Sequence, residues 1–425
     1  MAVTHTAYQR AVAILDAAEP RGMKPGLERT SALLEALDNP HLGLHGVLVA
    51  GTNGKGSVCT TVDSIVRAAG IHTVALTKPH LTSYCERFVV DGVQVSEQTF
   101  ADAVETVIAA AGRLPDALEP TAFEMLTAAG FHIARQARAD VVVCEVGLGG
   151  RLDSTNVVDL GVAVITNVGL DHRDRLGDTV EAIAAEKAAI IKPGDVGVTA
   201  AQQPALDVIR ERARTTGARL VELSPQGTEC GLDGVEVNVE FAAERLRVRA
   251  PLIGQFQVAN VATAVAVCDA LREAGHAIGP AAVASGCASV TWPARMQWFA
   301  SRPGVLLDGA HNPPGIAAMV ASARTLFGGR RMVTVFAAMR DKDAEAMVRE
   351  LRALPSVATV VTAPAVERST PPEELARLIG EQAIAVATAP RALETARRLA
   401  GADGVVVACG SLYLAGELLE VLRSG

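Results

Sequence analysis

The segment Val47–Ser57, VLVAGTNGKGS, constrains this chain more than any other. A β-branched apolar run stops at Ala50, and glycines at 51, 54 and 56 lead Lys55 and Ser57 into a helical pattern. Glycines let main-chain N–H groups converge on one point, the lysine adds a positive charge, and a helix starting there presents its positive dipole end. Asn53, Gly54, Lys55, Gly56 and Ser57 therefore read as a cradle for phosphate oxygens. Gly56 separates lysine from serine, unlike the commonest form of such loops, and a glycine-rich turn after a strand can also be only a turn.

The rest of the chain fits around that unit. A helix over about 57–69 ends at Gly70, and Ile71–Thr77 reads as the next strand, a β-loop-α-β unit with a right-handed crossover. Residues 8–38 look helical, and KPHLTSYCERFVVDG (78–92) reads as a polar loop. A helix carries Phe123, Met125 and Leu126, strands follow at Asp140–Glu145 and Val162–Thr166, and Thr179–Lys192 reads as a helix. Strand Val196–Ala200 and a helix over 204–216 continue the alternation. Residues 219–252 switch to period-two strands, expected as an antiparallel ribbon at a sheet edge. Helices near 257–273 and 280–289 close this half. Strands near 305–309, 331–338, 358–363, 383–388 and 404–409 then restart the βα rhythm. At 425 residues two domains are expected: 1–291, a hinge at 292–297 containing Pro293, and a smaller α/β domain at 298–425. Open α/β sheets bind ligands beyond the carboxyl ends of their strands, which makes the cleft between the domains the expected site.

Bulk properties exclude several partners. Net charge is −8 with no clustered Lys/Arg block, so neither nucleic acid nor an anionic membrane surface is expected. No apolar run reaches the roughly 18 residues needed to span a bilayer, and MAVTHTAYQR lacks the apolar core of a signal peptide. The seven cysteines are scattered without a CxxC pair, which suits reduced thiols in the cytoplasm better than disulfides or zinc.

Three polar residues stand where a plain strand or helix does not need them. Glu145 ends VVVCE, His172 lies in TNVGLDHRDRLGD after the next strand, and Lys187 lies in EAIAAEKAAIIK. A carboxylate and an imidazole at adjacent strand ends can both reach a phosphate loop, which is the setting for a divalent ion. Each also has a plainer reading. Glu145 can cap a turn or pair with Arg151, His172 can be a hydrogen-bonded loop residue, and Lys187 a solvated lysine paired with Glu186 or Glu181. VGLGG (146–150) hints at a dinucleotide turn, but it lacks the full GxGxxG form and runs into RLDSTN rather than a helix.

The motifs GTNGKGS (51–57), KPHL (78–81), ERFVVDG (86–92), EVGLGGRLDSTNVV (145–158), GLDHRDRLGDT (169–179) and EKAAIIKPG (186–194) occur in that order. They are followed by GQFQVANVATA (254–264), WPARMQ (292–297), DGAHNPPG (308–315), DKD (341–343) and GSLYLAGE (410–417). This series resembles the folylpolyglutamate synthase/dihydrofolate synthase family, within the Mur ligase superfamily, from about residue 25 to the C-terminus. The resemblance implies a Mur ligase-like ATPase domain with a mostly parallel sheet, plus a smaller Rossmann-like C-terminal α/β domain, in a monomeric enzyme. It implies an ATP-dependent ligase that phosphorylates a carboxylate and joins it to an amino acid, here L-glutamate to dihydropteroate or a reduced folate. By the same resemblance Lys55 and the backbone of 54–57 hold the phosphates of ATP, and Glu145 holds a first Mg²⁺. His172 and a carbamylated Lys187 hold a second, making Lys55, His172 and Lys187 the catalytic set. Asn260, Arg295, Asp308 and His311 match positions that contact ATP. Arg87, Phe123 and Asp153 match the surroundings of the acid substrate, although Phe123 beside Met125 and Leu126 also suits plain core packing. Carbamylation is chemically sensible here, because apolar Ala188, Ala189, Ile190 and Ile191 favour the neutral amine that adds CO₂.

The pattern breaks at several places. The family usually has serine where this chain has Lys78, and that serine helps to hold the first Mg²⁺, which an ammonium cannot do. Lys78 must turn away, leave its place to water, or put its own charge where the ion's would be. Cys85, Phe256 and Met339-Arg340 are further departures. Two alternatives therefore stand beside folate ligation: the same chemistry on a non-folate acid or with another amino acid, and an ATP-binding regulator that has lost catalysis.

Overall fold

The protein is described by a computed structural model covering residues 6–22, 24–224 and 227–424. It divides into two compact units, Met1–Pro225 with Asn238–Val248 and Ala259–Ser289, and Gln226–Val237 with Arg249–Val258 and Val290–Gly425.

The first unit is built on an eight-stranded sheet. Its strands are β1 (Gly46–Ala50), β2 (Thr73–Leu76), β3 (Phe88–Val90), β4 (Val93–Gln94), β5 (Val141–Glu145), β6 (Gly161–Ile165), β7 (Val196–Thr199) and β8 (Arg219–Glu222). They lie in the order β4-β3-β2-β5-β1-β6-β7-β8. From β2 to β8 neighbours run parallel, while β3 pairs antiparallel with β2, and β4 antiparallel with β3. All five residues of β1 and of β5 are buried, as expected of central parallel strands covered on both faces. Registers Val49–Glu145 and Ala50–Ile165 bring the carboxyl ends of β5, β1 and β6 level with one another.

The polar stretch 78–92 is more ordered than a loop. Tyr84–Arg87 forms a 3₁₀ turn and Phe88–Val90 is β3. Phe100, fully buried, gathers Tyr8, Tyr84 and Phe88 around it at centroid separations of 5.4, 5.9 and 5.9 Å. In a chain with 3% aromatics this is a concentrated anchor, and it fixes the turn that carries Arg87. The helix expected to reach Lys192 stops at Ala188, five residues before Pro193, and Ile190 and Ile191 continue into the core without helix. Residues 219–222 join the main sheet as the parallel edge strand β8. The period-two segments that follow, β9 (Gly227–Gly231), β10 (Gly234–Phe241) and β11 (Glu244–Ala250), form a separate three-stranded sheet instead of an edge ribbon.

The second unit contains a six-stranded sheet of β12 (Gln297–Phe299), β13 (Gly304–Leu307), β14 (Met332–Phe336), β15 (Ser356–Val361), β16 (Ala383–Ala385) and β17 (Val405–Cys409). Its order is β12-β13-β17-β14-β15-β16, parallel except for β12. Ile316, Met319, Phe327, Phe336 and Leu375 are among the fully or nearly fully buried side chains of its core. Phe256, one of the sequence departures, packs partly buried against that core.

Candidate active site

Helix Lys55–Ala68 begins directly behind β1, with Gly54 as its N-cap at φ 86°. A Cβ at Gly54 would stand 2.3 Å from Asn260 Oδ1, so the turn requires glycine on both conformational and steric grounds. This also places Asn260, buried in helix Gln257–Glu273, against the glycine-rich loop. The loop is stitched to the chain leaving β6. Thr52 N donates to Asn167 O and Asn53 N to Asn167 Oδ1, both at 2.9 Å, and Thr166 Oγ1 donates to Asn53 O at 2.6 Å. Thr166 and Asn167 were not singled out from sequence. Their signal is only that polar residues follow the last buried position of a strand.

Lys55 Nζ donates to Gly51 O at 3.0 Å and Thr52 O at 3.3 Å. Lys187 Nζ donates to the same Gly51 O at 3.1 Å. Lys187 is only 4% exposed, which overturns its reading as a solvated lysine. Burial first, and the Lys55 charge second, bring its pKa from 10.5 down to about 7, against the opposing pull of Asp171, Asp153 and Glu186. Arg151 pairs with Glu186 at 2.9 Å, so the alternative partners proposed for Glu145 and Lys187 are engaged with each other.

Glu145, at the end of β5, is buried, and its Oε2 accepts from Lys78 N at 2.9 Å. His172 sits at φ 49° and ψ 43° as N-cap of the short helix Arg173–Leu176, with its Nε2 3.8 Å from Asp171 Oδ1. Among the described residues no three His, Cys, Asp or Glu side chains are grouped to hold an ion unaided. A buried carboxylate, a first-turn serine hydroxyl at Ser57 and a phosphate cradle nevertheless suit Mg²⁺, which takes few protein ligands and completes its sphere with phosphate and water. Lys187 suits a carbamate ligand, because an amine titrating near 7 supplies the neutral nucleophile that CO₂ needs.

On the other side of Glu145, Lys78 Nζ donates to the Glu145 main-chain carbonyl at 2.9 Å and lies 4.6 Å from the centroid of the Phe123 ring. Lys78 and Arg87 line one small cavity with Leu76, Phe88, Leu126, Thr127, Cys144 and Thr155. Arg87 Nε donates to His80 Nδ1 at 2.8 Å, and burial together with that guanidinium lowers the His80 pKa to about 4. Phe123 is half-buried, unlike Met125 and Leu126, which are core residues. Gly147 touches the ring edge: a Cβ there would meet Phe123 Cζ at 2.3 Å and Asp153 Oδ2 at 3.0 Å. Asp153 braces its loop, accepting from Leu148 N at 2.9 Å and from Thr155 N and Oγ1 at 3.0 and 2.6 Å. Arg87, Phe123 and Asp153 thus surround the same strand ends, with Lys78 added.

Arg295, Asp308 and His311 form a group of their own in the second unit, beyond β13. Asp308 is buried and accepts from Met296 N at 2.7 Å and Ala310 N at 2.8 Å. Burial raises its pKa, while Arg295 and the two N–H donors oppose the rise. Arg295 Nη1 donates to Ala294 O at 3.0 Å, and His311 Nδ1 lies 2.9 Å from Gly309 O.

Two family models match, the Mur ligase middle domain over residues 49–268 and the Mur ligase, glutamate ligase domain over residues 294–412. A probable bifunctional folylpolyglutamate synthase/dihydropteroate synthase of Haloferax volcanii is 37% identical, covering 96% of this chain and 50% of that protein. The chain thus spans about half the length of the first haloarchaeal relatives it matches, 50% and 49%. A dihydrofolate synthase/folylpolyglutamate synthase of Bacillus subtilis is 34% identical, covering 82% of this chain and 84% of that one. Among solved structures, Escherichia coli FolC in complex with DHPP and ADP superposes with a TM-score of 0.89 and 30% identity over 99% of both chains.

Proposed function

Because this chain belongs to the folylpolyglutamate synthase/dihydrofolate synthase family of Mur ligases, we propose that it is an ADP-forming ligase joining L-glutamate to dihydropteroate or a reduced folate. The observation that carries the proposal is the convergence of Lys55 and Lys187 on Gly51 O at the head of the phosphate loop, with Glu145 at the neighbouring strand end.

A carboxylate oxygen of the acid attacks the γ-phosphorus of ATP. The bond to the bridging oxygen breaks, ADP leaves, and an acyl phosphate remains. The glutamate amine then attacks the acyl carbon, phosphate departs, and the nitrogen loses its proton to water or buffer. The chain's part is to hold acid and phosphoryl group in line and to offset the charge that develops between them. Main-chain N–H groups of 54–57 and the helix N-terminus bind the phosphates, Lys55 supplies a fixed positive charge, and Asn260 holds the loop in shape. Mg²⁺, when bound, neutralises the phosphate oxygens. Glu145 with Ser57, and His172 with carbamylated Lys187, are the residues we assign to it. Arg295, Asp308 and His311 we assign to the nucleotide, and Arg87, Phe123 and Asp153 to the acid. Residues 292–297, where Ala294 and Met296 adopt φ of 54° and 49°, are our candidate hinge between an ATPase domain and a ligase domain. Among the described residues no helix is long and apolar enough to cross a membrane. Free thiols at all seven cysteines suit a reducing cytoplasm.

The test is ATP-dependent phosphate release with L-glutamate and either dihydropteroate or tetrahydrofolate, with mass spectrometry of the product. A product heavier by one glutamyl residue is expected. ADP binding without product from either acid would instead favour another acid.

A further inference from the structure

We propose that Lys78 is a specificity-determining residue of the acid site, donating from its ammonium to a carbonyl oxygen on the flat ring of the acid. The inference rests on the ligase reading above and narrows its substrate class. Lys78 is clasped to the end of β5 twice, by its main-chain N–H on Glu145 Oε2 and by Nζ on Glu145 O, both at 2.9 Å. That clasp sets the ammonium over the Phe123 ring, 4.6 Å from its centroid. The ring has little freedom to withdraw, because its Cζ comes so close to Gly147 that a Cβ there would be 2.3 Å away.

An ammonium has three N–H donors. One serves the Glu145 carbonyl and the π face receives the charge, so a further donor remains for a ligand atom with a lone pair. The cavity is lined by Leu76, Phe88, Leu126 and Cys144, each 5% exposed or less, together with Thr127 and Thr155, and its second cation is Arg87. In such an apolar setting a charge-assisted hydrogen bond is strong, and an N–H donor aimed at the ammonium is strongly disfavoured. The site therefore takes a ring bearing an oxo group towards Lys78 and rejects the same ring with an amino group in that place.

The experiment compares dihydropteroate, a 4-oxo pteridine acid, with its 4-amino counterpart. Equilibrium binding in the presence of ADP and steady-state kinetics are measured on the parent and on Lys78→Met and Lys78→Leu, with ADP affinity as the check that each variant is folded. The parent should prefer the 4-oxo acid by about 10-fold to 100-fold, and both variants should lose most of that preference. Their ADP affinity and Mg²⁺ half-saturation should stay within about twofold of the parent. Variants that keep the parent's preference would overturn the proposal and leave the ligase reading standing. So would variants whose only change is in Mg²⁺ half-saturation, since Lys78 would then act on phosphate charge. A parent that binds ADP but neither acid would sink the proposal together with the folate reading.

Discussion

Lys55 and Lys187 donate to one and the same oxygen, the main-chain carbonyl of Gly51, at 3.0 and 3.1 Å. Two ammonium groups on one acceptor repel each other, and the more buried of them yields its proton more easily. The glycine-rich loop thus sets the buried Lys187 beside a second ammonium and makes it a titrating amine.

The stability of the protein should carry that titration. In metal-free and CO₂-free buffer, unfolded Lys187 holds its proton up to 10.5, whereas the folded residue releases it near 7. Between those values the unfolded state binds more protons, so stability rises with pH across the window. Lys187→Met removes the burial penalty and should be more stable than the parent below about pH 7, with an advantage that shrinks on going to about pH 9. Denaturant melts at both pH values test this, and an advantage equal at both would mean that Lys187 does not titrate there.

The same neutral amine should take up CO₂. Enzyme stripped of CO₂ should regain activity on adding bicarbonate, faster at about pH 8 than at about pH 6, since the neutral fraction grows above 7. Lys187→Ala should lose activity by about 100-fold or more and respond to added short carboxylates, whereas Lys187→Arg should not respond. Intact mass spectrometry of the native protein, showing or lacking one added CO₂, reads the modification directly.

Gly54→Ala places a methyl 2.3 Å from Asn260 Oδ1 at a φ of 86°. The strain should cost about 1–3 kcal/mol and weaken ADP binding at least tenfold. Adding Asn260→Ala removes the clash but not the φ, so the double variant should recover part of the stability and little of the binding. Calorimetric titration with ADP separates the two.

Asp308→Asn should be costly although nearly isosteric. Asp308 accepts from two main-chain donors, Met296 N and Ala310 N, and an asparagine must turn its NH₂ towards one of them. The mismatch should destabilise the protein by about 1–3 kcal/mol, read by thermal melting. Because burial raises the Asp308 pKa, the folded parent gains stability as its carboxyl takes up a proton and the asparagine variant does not, so the penalty should grow in acid.

Gly147→Ala should separate acid binding from nucleotide binding. Its methyl would meet Phe123 Cζ at 2.3 Å and push the ring from under Lys78. The KM for the acid should rise several-fold while ADP affinity is unchanged, and a parallel loss of both would assign Gly147 to the scaffold as a whole.

Sequence pattern made the strand, glycine-rich loop and helix at 46–68 and the central parallel strands legible, because both are local. Gly51 through Ser57 follow β1 without interruption, and a fully buried strand has nothing but apolar residues to show. Glu145 and His172 were recognisable as polar residues at strand ends. What sequence did not show depends on residues far apart in the chain. The Lys78 clasp on Glu145 spans 67 positions, and its direction is set by how β2 and β5 align. Equally hidden was the division between Phe123, half-buried, and its core neighbours Met125 and Leu126, since a three-residue spacing does not say where a helix leaves the core. Strand β3 went unread because Phe88–Val90 is too short to show a period and is held by Phe100 from a separate helix.

The ends of the eight-stranded sheet have a consequence for crowded solution. A sheet that stops leaves a row of unpaired N–H and C=O groups, on which another chain can add a strand. Here one border is β4, only two residues long. The other is β8, whose terminal Arg219 and Glu222 are exposed and ion-paired, with Glu273 and Arg210 respectively. An incoming strand would have almost no length to pair with on one side, and on the other would have to strip water from two charges and part both pairs. The architecture that gathers the phosphate loop at its centre thus also refuses to grow at its margins, which keeps an aliphatic-rich chain from polymerising through its own sheet.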